Sequence, residues 1–228
     1  MKSLVFDAGP VISLATNNLL FILKPLKKKF NGNFFITESV KRELVDRPFE
    51  IKKFKFEAIQ VEKLIEQGTL EIIDNDSITE QAPKILETAN NIFRAFDNCI
   101  KIVHYAEMSV IAAAKNIGAS AIVIDEKTTR LLIEEPKELL NILRKTLNTP
   151  VILNEKNLAE FRGIAGDIKT IRSVELAALA FEYGMLDSYV TKMPDARKSL
   201  LESVLWGVKM NGCAVSGDEI EQIMRKNF

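Results

Sequence analysis

The chain has 228 residues, 47% of them hydrophobic and 27% charged, and its 31 basic residues balance 31 acidic ones. That length buries a sizeable core as one large domain or a domain with an appendage, and a formal charge of zero excludes a global basic field for nucleic acid, so any such contact has to be a local patch. Only Cys99 and Cys213 are present, which fits two inert thiols in a reducing compartment rather than a disulfide framework. The N-terminus lacks a signal-peptide pattern and no apolar run approaches the roughly 18 residues of a membrane span, so a cytoplasmic protein without membrane contact is expected.

In chain order, "SLVF" (3–6) reads as a buried strand, with Pro10 early in the helix that follows. "NFFI" (33–36) is a second strand, and Thr37 is placed to cap the helix "ESVKRELV". Residues 54–67 are helical by pattern and "TLEII" (69–73) is a strand. Ser77 with Glu80 forms a capping-box signature for a long helix reaching toward Phe96. A helix over about 102–117 stops at Gly118, and "SAIVI" (120–124) is a continuous apolar strand. One helix is expected over 127–145, and "PVIL" (150–153) is the last strand candidate. Buried strands alternating with helices predict an α/β fold, a three-layer parallel sheet with helices on both faces. After residue 153 no strand is evident. Three helices are expected, over 172–183, 194–210 and 217–226, the last opened by a Ser216–Glu219 capping box. This divides the chain into residues 1–155 and an all-helical C-terminal extension, 156–228.

Four acids stand out. Asp7 ends "LVF" and Asp125 ends "AIVI", so both fall at strand ends, where ligands gather in open α/β sheets. Taken singly, each is also what a helix cap looks like. Glu107 shares the apolar stripe of Val103, Val110, Ile111 and Ala114, and Glu43 lies beside Leu44, one turn beyond Val40. Clustered carboxylates need a counter-charge, and Mg²⁺ or Mn²⁺ prefers such an oxygen-rich site. Such an ion activates water for hydrolysis of a phosphodiester. A stretch from Lys24 to Lys55 carries ten Lys or Arg against four acids. Within it Lys27, Lys28, Lys29, Lys41 and Arg42 form a candidate RNA-binding patch, or else a solvated rim.

The stretches "LVFDAGPVISLA", "ITESVKREL" and "AEMSVIAAAKNIGASAIVIDEKTTRLL" resemble, in this order, the acidic motifs of the PIN-domain ribonuclease superfamily over roughly residues 2–153. The chain is also similar to a prokaryotic subgroup with a short helical C-terminal extension. The resemblance implies a metal-dependent endoribonuclease with Asp7, Glu43, Glu107 and Asp125 as Mg²⁺ or Mn²⁺ ligands, and Thr128 and Arg130 as polar helpers. It also implies RNA as substrate, and a protein antitoxin or a homodimer as partner. Gly9 stands where many relatives carry a hydroxyl residue, the third acid is Glu rather than Asp, and the stretch 48–100 is longer than in compact relatives. The alternative is a PIN-like scaffold that binds RNA or protein without cutting. A haloacid-dehalogenase reading needs a second acid at Gly9, and no phosphate-cradling glycine motif occurs. His104, the only histidine, has no partner for a metal pair, and Trp206 and Phe181 read as core.

Overall fold

The computed structural model describes residues 2–51 and 53–228; Lys52 of the basic stretch lies outside the described residues. The elements are β1 (Ser3–Phe6), α1 (Ala8–Thr16), α2 (Leu23–Phe30), β2 (Asn33–Thr37), α3 (Glu38–Lys41), a π-helical turn Arg42–Asp46, α4 (Arg47–Glu50) and α5 (Lys55–Glu66). There follow β3 (Glu71–Ile73), α6 (Asp76–Asn90), β4 (Phe93–Ala95), β5 (Asn98–Cys99), α7 (Tyr105–Ile117), β6 (Ala121–Val123), α8 (Lys127–Glu134) and α9 (Pro136–Leu147). The chain then forms β7 (Ile152–Leu153), α10 (Glu155–Ala165), β8 (Thr170–Ile171), α11 (Ser173–Glu182), α12 (Ala196–Met210) and α13 (Gly217–Asn227). Among the described residues no helix is long and apolar enough to cross a membrane.

Five parallel strands make the main sheet, in the order β3-β2-β1-β6-β8. From β1 the chain steps outward through β2 to β3, then crosses back to β6 on the other side of β1. Because crossovers are right-handed, the two directions of travel put their helices on opposite faces. The packing agrees: α7 lies on β1, β2 and β6 and is backed by α6 and α10, whereas α1 packs with α5, α11 and α12. The fold is α/β with helices on both faces, and it carries the C-terminal helices.

The register aligns the carboxyl ends of the strands. Phe6 pairs with Ile36 and Val123, and Val123 pairs with Ile171. Asp7, Thr37, Asp125 and Ser173 therefore leave the sheet along one edge. The direction of travel reverses at the β1–β6 junction, the place where α/β sheets open a crevice.

Several expectations are corrected. The extension is not all-helical: β8 joins the main sheet beside β6. A pair of residues gives too short an apolar run to register in a sequence pattern. Helix α10 begins where the chain was divided, and apolar residues on both sides of residue 155 share one core. "PVIL" does not join the parallel sheet, since β7 pairs antiparallel with β4. The helix expected to reach Phe96 stops at Asn90, and β4 and β5 form a hairpin. Its two-residue loop, Phe96–Asp97, has φ of 48° and 61°. Such a turn favours Asn-Gly, so this sequence gave no hairpin signal. Asn75, not Ser77, caps α6, accepting from the Ile78 N–H at 2.9 Å. Pro136 starts α9 and divides the single helix expected over 127–145.

Candidate functional site

Asp7 follows the central strand. Its backbone N–H bonds the Val123 carbonyl at 2.9 Å, which ties β1 to β6. Its carboxylate caps α1 and accepts from the Gly9 N–H at 3.3 Å. The group is 6% exposed. Burial pushes its pKa up to about 6; the Ala8 and Gly9 N–H groups oppose the rise, and the charges of Glu43 and Asp125 add to it. A Cβ at Gly9 would stand 3.5 Å from Asp7 Oδ2 and 3.6 Å from Asp125 Cβ, so this glycine lies between the two aspartates.

Helix α7 runs back against the strands and begins at the same edge. Glu107, in its first turn, accepts from the His104 N–H at 2.8 Å. Burial lifts its pKa to about 7, against the His104 N–H, and the Asp7 and Glu126 charges add to the rise. The Thr129 hydroxyl, fully buried, lies beside Glu107 and eases that charge, without a well-aligned hydrogen bond to any described residue. Glu43 sits on the π-helical turn at the exposed rim. Partial desolvation raises its pKa, while Arg47 and His104 oppose the rise. It also lines a largely apolar pocket of about 100 Å³ with Ile12, Leu44, Phe54 and Val61.

Asp125 is held differently. Oδ1 accepts from the Ser173 N–H at 2.7 Å, and Oδ2 accepts from the Ser173 hydroxyl at 2.6 Å and the Ser13 hydroxyl at 2.8 Å. Cys213 is buried alongside, and desolvation first, then the Asp125 charge, pushes its thiol up to about 12. That thiol stays protonated, in keeping with an inert cysteine.

The four acids thus share one edge of the sheet, with Asp7 electrostatically linked to the other three. Thr128 is half-buried, and its neighbour Thr129 is the hydroxyl beside Glu107. Arg130 pairs with Glu134 at 3.1 Å. The basic patch is split. Lys27, Lys28 and Lys29 end α2, which leads into the start of β2, so they lie at the opposite end of the sheet from Asp7, about one strand length away (~13 Å). Lys27 is bound to Glu71 at 2.5 Å, and Lys29 lies over the Tyr183 ring. Lys41 and Arg42 follow β2 on the acidic side, where Lys41 pairs with Asp46 at 3.5 Å.

Sequence reasoning missed Glu126, Ser13 and Ser173. Glu126 caps α8 through the Thr129 N–H, and its position directly after Asp125 was the available signal. Ser13, a hydroxyl on the apolar side of α1, was a second signal. Ser173 carried none, because its role depends on an unrecognised strand.

No group of three or more Asp, Glu, His or Cys closes to metal-binding geometry among the described residues. The donor chemistry still suits a hard cation. Asp7 and Glu107 are oxygen-only, buried enough to resist ionisation, and linked by charge, with an unpartnered hydroxyl beside them. Mg²⁺ is commonly held by one or two carboxylates with water completing its shell.

No curated protein and no solved structure matches the chain. A family model described as a PIN domain matches residues 3–137, over half of the sequence. PIN domains are usually nucleases and typically use divalent metals. The matched segment carries Asp7, Glu43, Glu107 and Asp125 in order along one sheet edge, and the chain belongs to the PIN-domain family.

Proposed function

We propose that this protein is a divalent-metal-dependent endoribonuclease, hydrolysing RNA phosphodiester bonds at the carboxyl edge of the sheet. The observation that carries the reading is the pair Asp7 and Glu107, two desolvated carboxylates at one sheet edge, with the Asp7 charge opposing ionisation of Glu107. A cation of the Mg²⁺ or Mn²⁺ type removes that conflict, and it supplies a more acidic bound water and charge neutralisation for the phosphorane-like transition state. Asp7 and Glu107 hold it, Glu43 contributes from the rim, and Asp125 steadies the floor of the crevice. Arg42, exposed on the acidic side of β2, offers a cation for a neighbouring phosphate. The distant Lys27–Lys29 group has no part in the reading.

The test is cleavage of a panel of single-stranded and structured RNAs by wild type and Asp7→Asn. Mn²⁺-dependent cutting that falls by at least about a thousandfold in the variant supports the reading. Equal rates mean contamination, and no cutting alongside retained RNA binding favours the non-cutting scaffold. The scaffold has one observation in its favour: three of the four lone-pair positions of Asp125 are already taken.

A further inference from the structure

The carboxylate of Asp125 and the segments that bond it connect the crevice to a part of the chain outside the family-matched segment. Ser173 opens α11 directly after β8, and it gives both its amide N–H and its hydroxyl to Asp125. Ser173 itself is fully buried. The preceding residue, Arg172, is 9% exposed and bonds Glu175 at 2.5 Å, Glu219 at 2.8 Å and the Ala214 carbonyl at 3.0 Å. Ala214 in turn donates its N–H to the Asp125 carbonyl at 3.1 Å. The segment between α12 and α13 is thereby strapped across Asp125, with Arg172 as the clasp. A carboxylate offers about four lone-pair positions. Ser173 and Ser13 fill three of them, one on Oδ1 and two on Oδ2, and the buried Cys213 thiol lies against the same carboxylate.

We propose that Ser173 is a positioning residue of the acidic crevice: by giving both its amide and its hydroxyl to Asp125, it fixes the orientation in which that carboxylate meets a divalent cation or its water. The inference rests on the metal-dependent reading above. It makes the C-terminal extension part of the site rather than a cover for the sheet. Groups that orient metal-binding carboxylates typically contribute 10- to 100-fold to affinity or activity. A residue serving only to pin the extension would change stability and leave cation affinity alone.

The experiment compares full-length wild type, Ser173→Ala, Ser173→Thr and Ser13→Ala by calorimetric titration with Mn²⁺, RNA cleavage kinetics and thermal unfolding without metal. Ser173→Ala should weaken Mn²⁺ binding about tenfold or more and lower kcat with KM for RNA little changed. Ser173→Thr, which keeps hydroxyl and amide, should restore both. Ser13→Ala removes one donor without loosening α11 and should show a smaller loss of affinity, which keeps the test alive if Ser173→Ala does not fold. Wild-type Mn²⁺ affinity and kcat in Ser173→Ala, or in Ser13→Ala where the former is unfolded, would overturn the proposal. If wild type itself binds no Mn²⁺, the metal-dependent reading fails first, a pattern distinct from wild-type binding that Ser173→Ala leaves untouched.

Discussion

Asp7 and Asp125 follow neighbouring strands, are both nearly fully buried, and lie on either side of Gly9, yet they are held in opposite ways. Asp125 receives three side-chain and backbone donors at 2.6–2.8 Å. Asp7 has only the backbone N–H groups of Ala8 and Gly9, the latter at a long 3.3 Å, and its pKa rises to about 6. Burial alone therefore does not mark a carboxylate as a ligand. What differs is how much of the charge the protein itself compensates. Asp125 is largely compensated by the fold, whereas Asp7 is left with a deficit that an external cation can fill.

The comparison breaks most visibly on removal of the two side chains. Asp125→Ala strands the Ser173 amide and two hydroxyls in a buried site, and should cost about 3–5 kcal/mol of stability by denaturant unfolding. Asp125→Asn should cost less, about 1 kcal/mol, because both hydroxyls can turn to accept from the new amide. Asp7→Asn should have the opposite sign. Asparagine keeps the helix cap and removes a carboxylate whose folded pKa lies above its unfolded value of 3.8. Between those values the folded state holds the extra proton, so Asp7 lowers metal-free stability as pH rises from about 4 to 6. At pH 7 the variant should gain up to about 3 kcal/mol over metal-free wild type. Equal and negative effects of Asp7→Asn and Asp125→Asn would erase the contrast.

Glu107 sharpens the same point. Its folded pKa of about 7 against 4.5 extends the loss of metal-free stability up to neutral pH, so Glu107→Gln should flatten the upper part of the pH–stability curve. Saturating Mn²⁺ should flatten it in wild type as well, since the cation binds the ionised form. The smallest effect expected is on the split patch. Lys28→Ala with Lys29→Ala should leave RNA affinity and its salt dependence unchanged, whereas Arg42→Ala should weaken binding and lower the salt slope by about one.

The strands that carry the site were legible because their signals are local: β1, β2 and β6 are continuous apolar runs, and Asp7 and Asp125 end them. Glu107 was legible as an acid on an apolar stripe. The Thr37, Gly118 and Ser216 helix boundaries follow from capping chemistry. The parts that escaped depend on partners distant in sequence. Two-residue β8 exists because β6 offers it an edge, and the Ser173–Asp125 contact spans 48 residues. The Phe96–Asp97 turn is held by the pairing of β4 with β5 rather than by its own residue types. The lysine run looked continuous with Arg42 along the chain, but a strand intervenes and sends the two groups to opposite ends of the sheet.

The most direct test is calorimetric titration of Mn²⁺ into wild type and Asp7→Asn at pH 7.5, where Asp7 is ionised. The account predicts saturable binding by wild type, accompanied by proton release from Glu107, and none by the variant. Indistinguishable heats from the two proteins would contradict the claim that the carboxylate after β1 is the one that a cation completes.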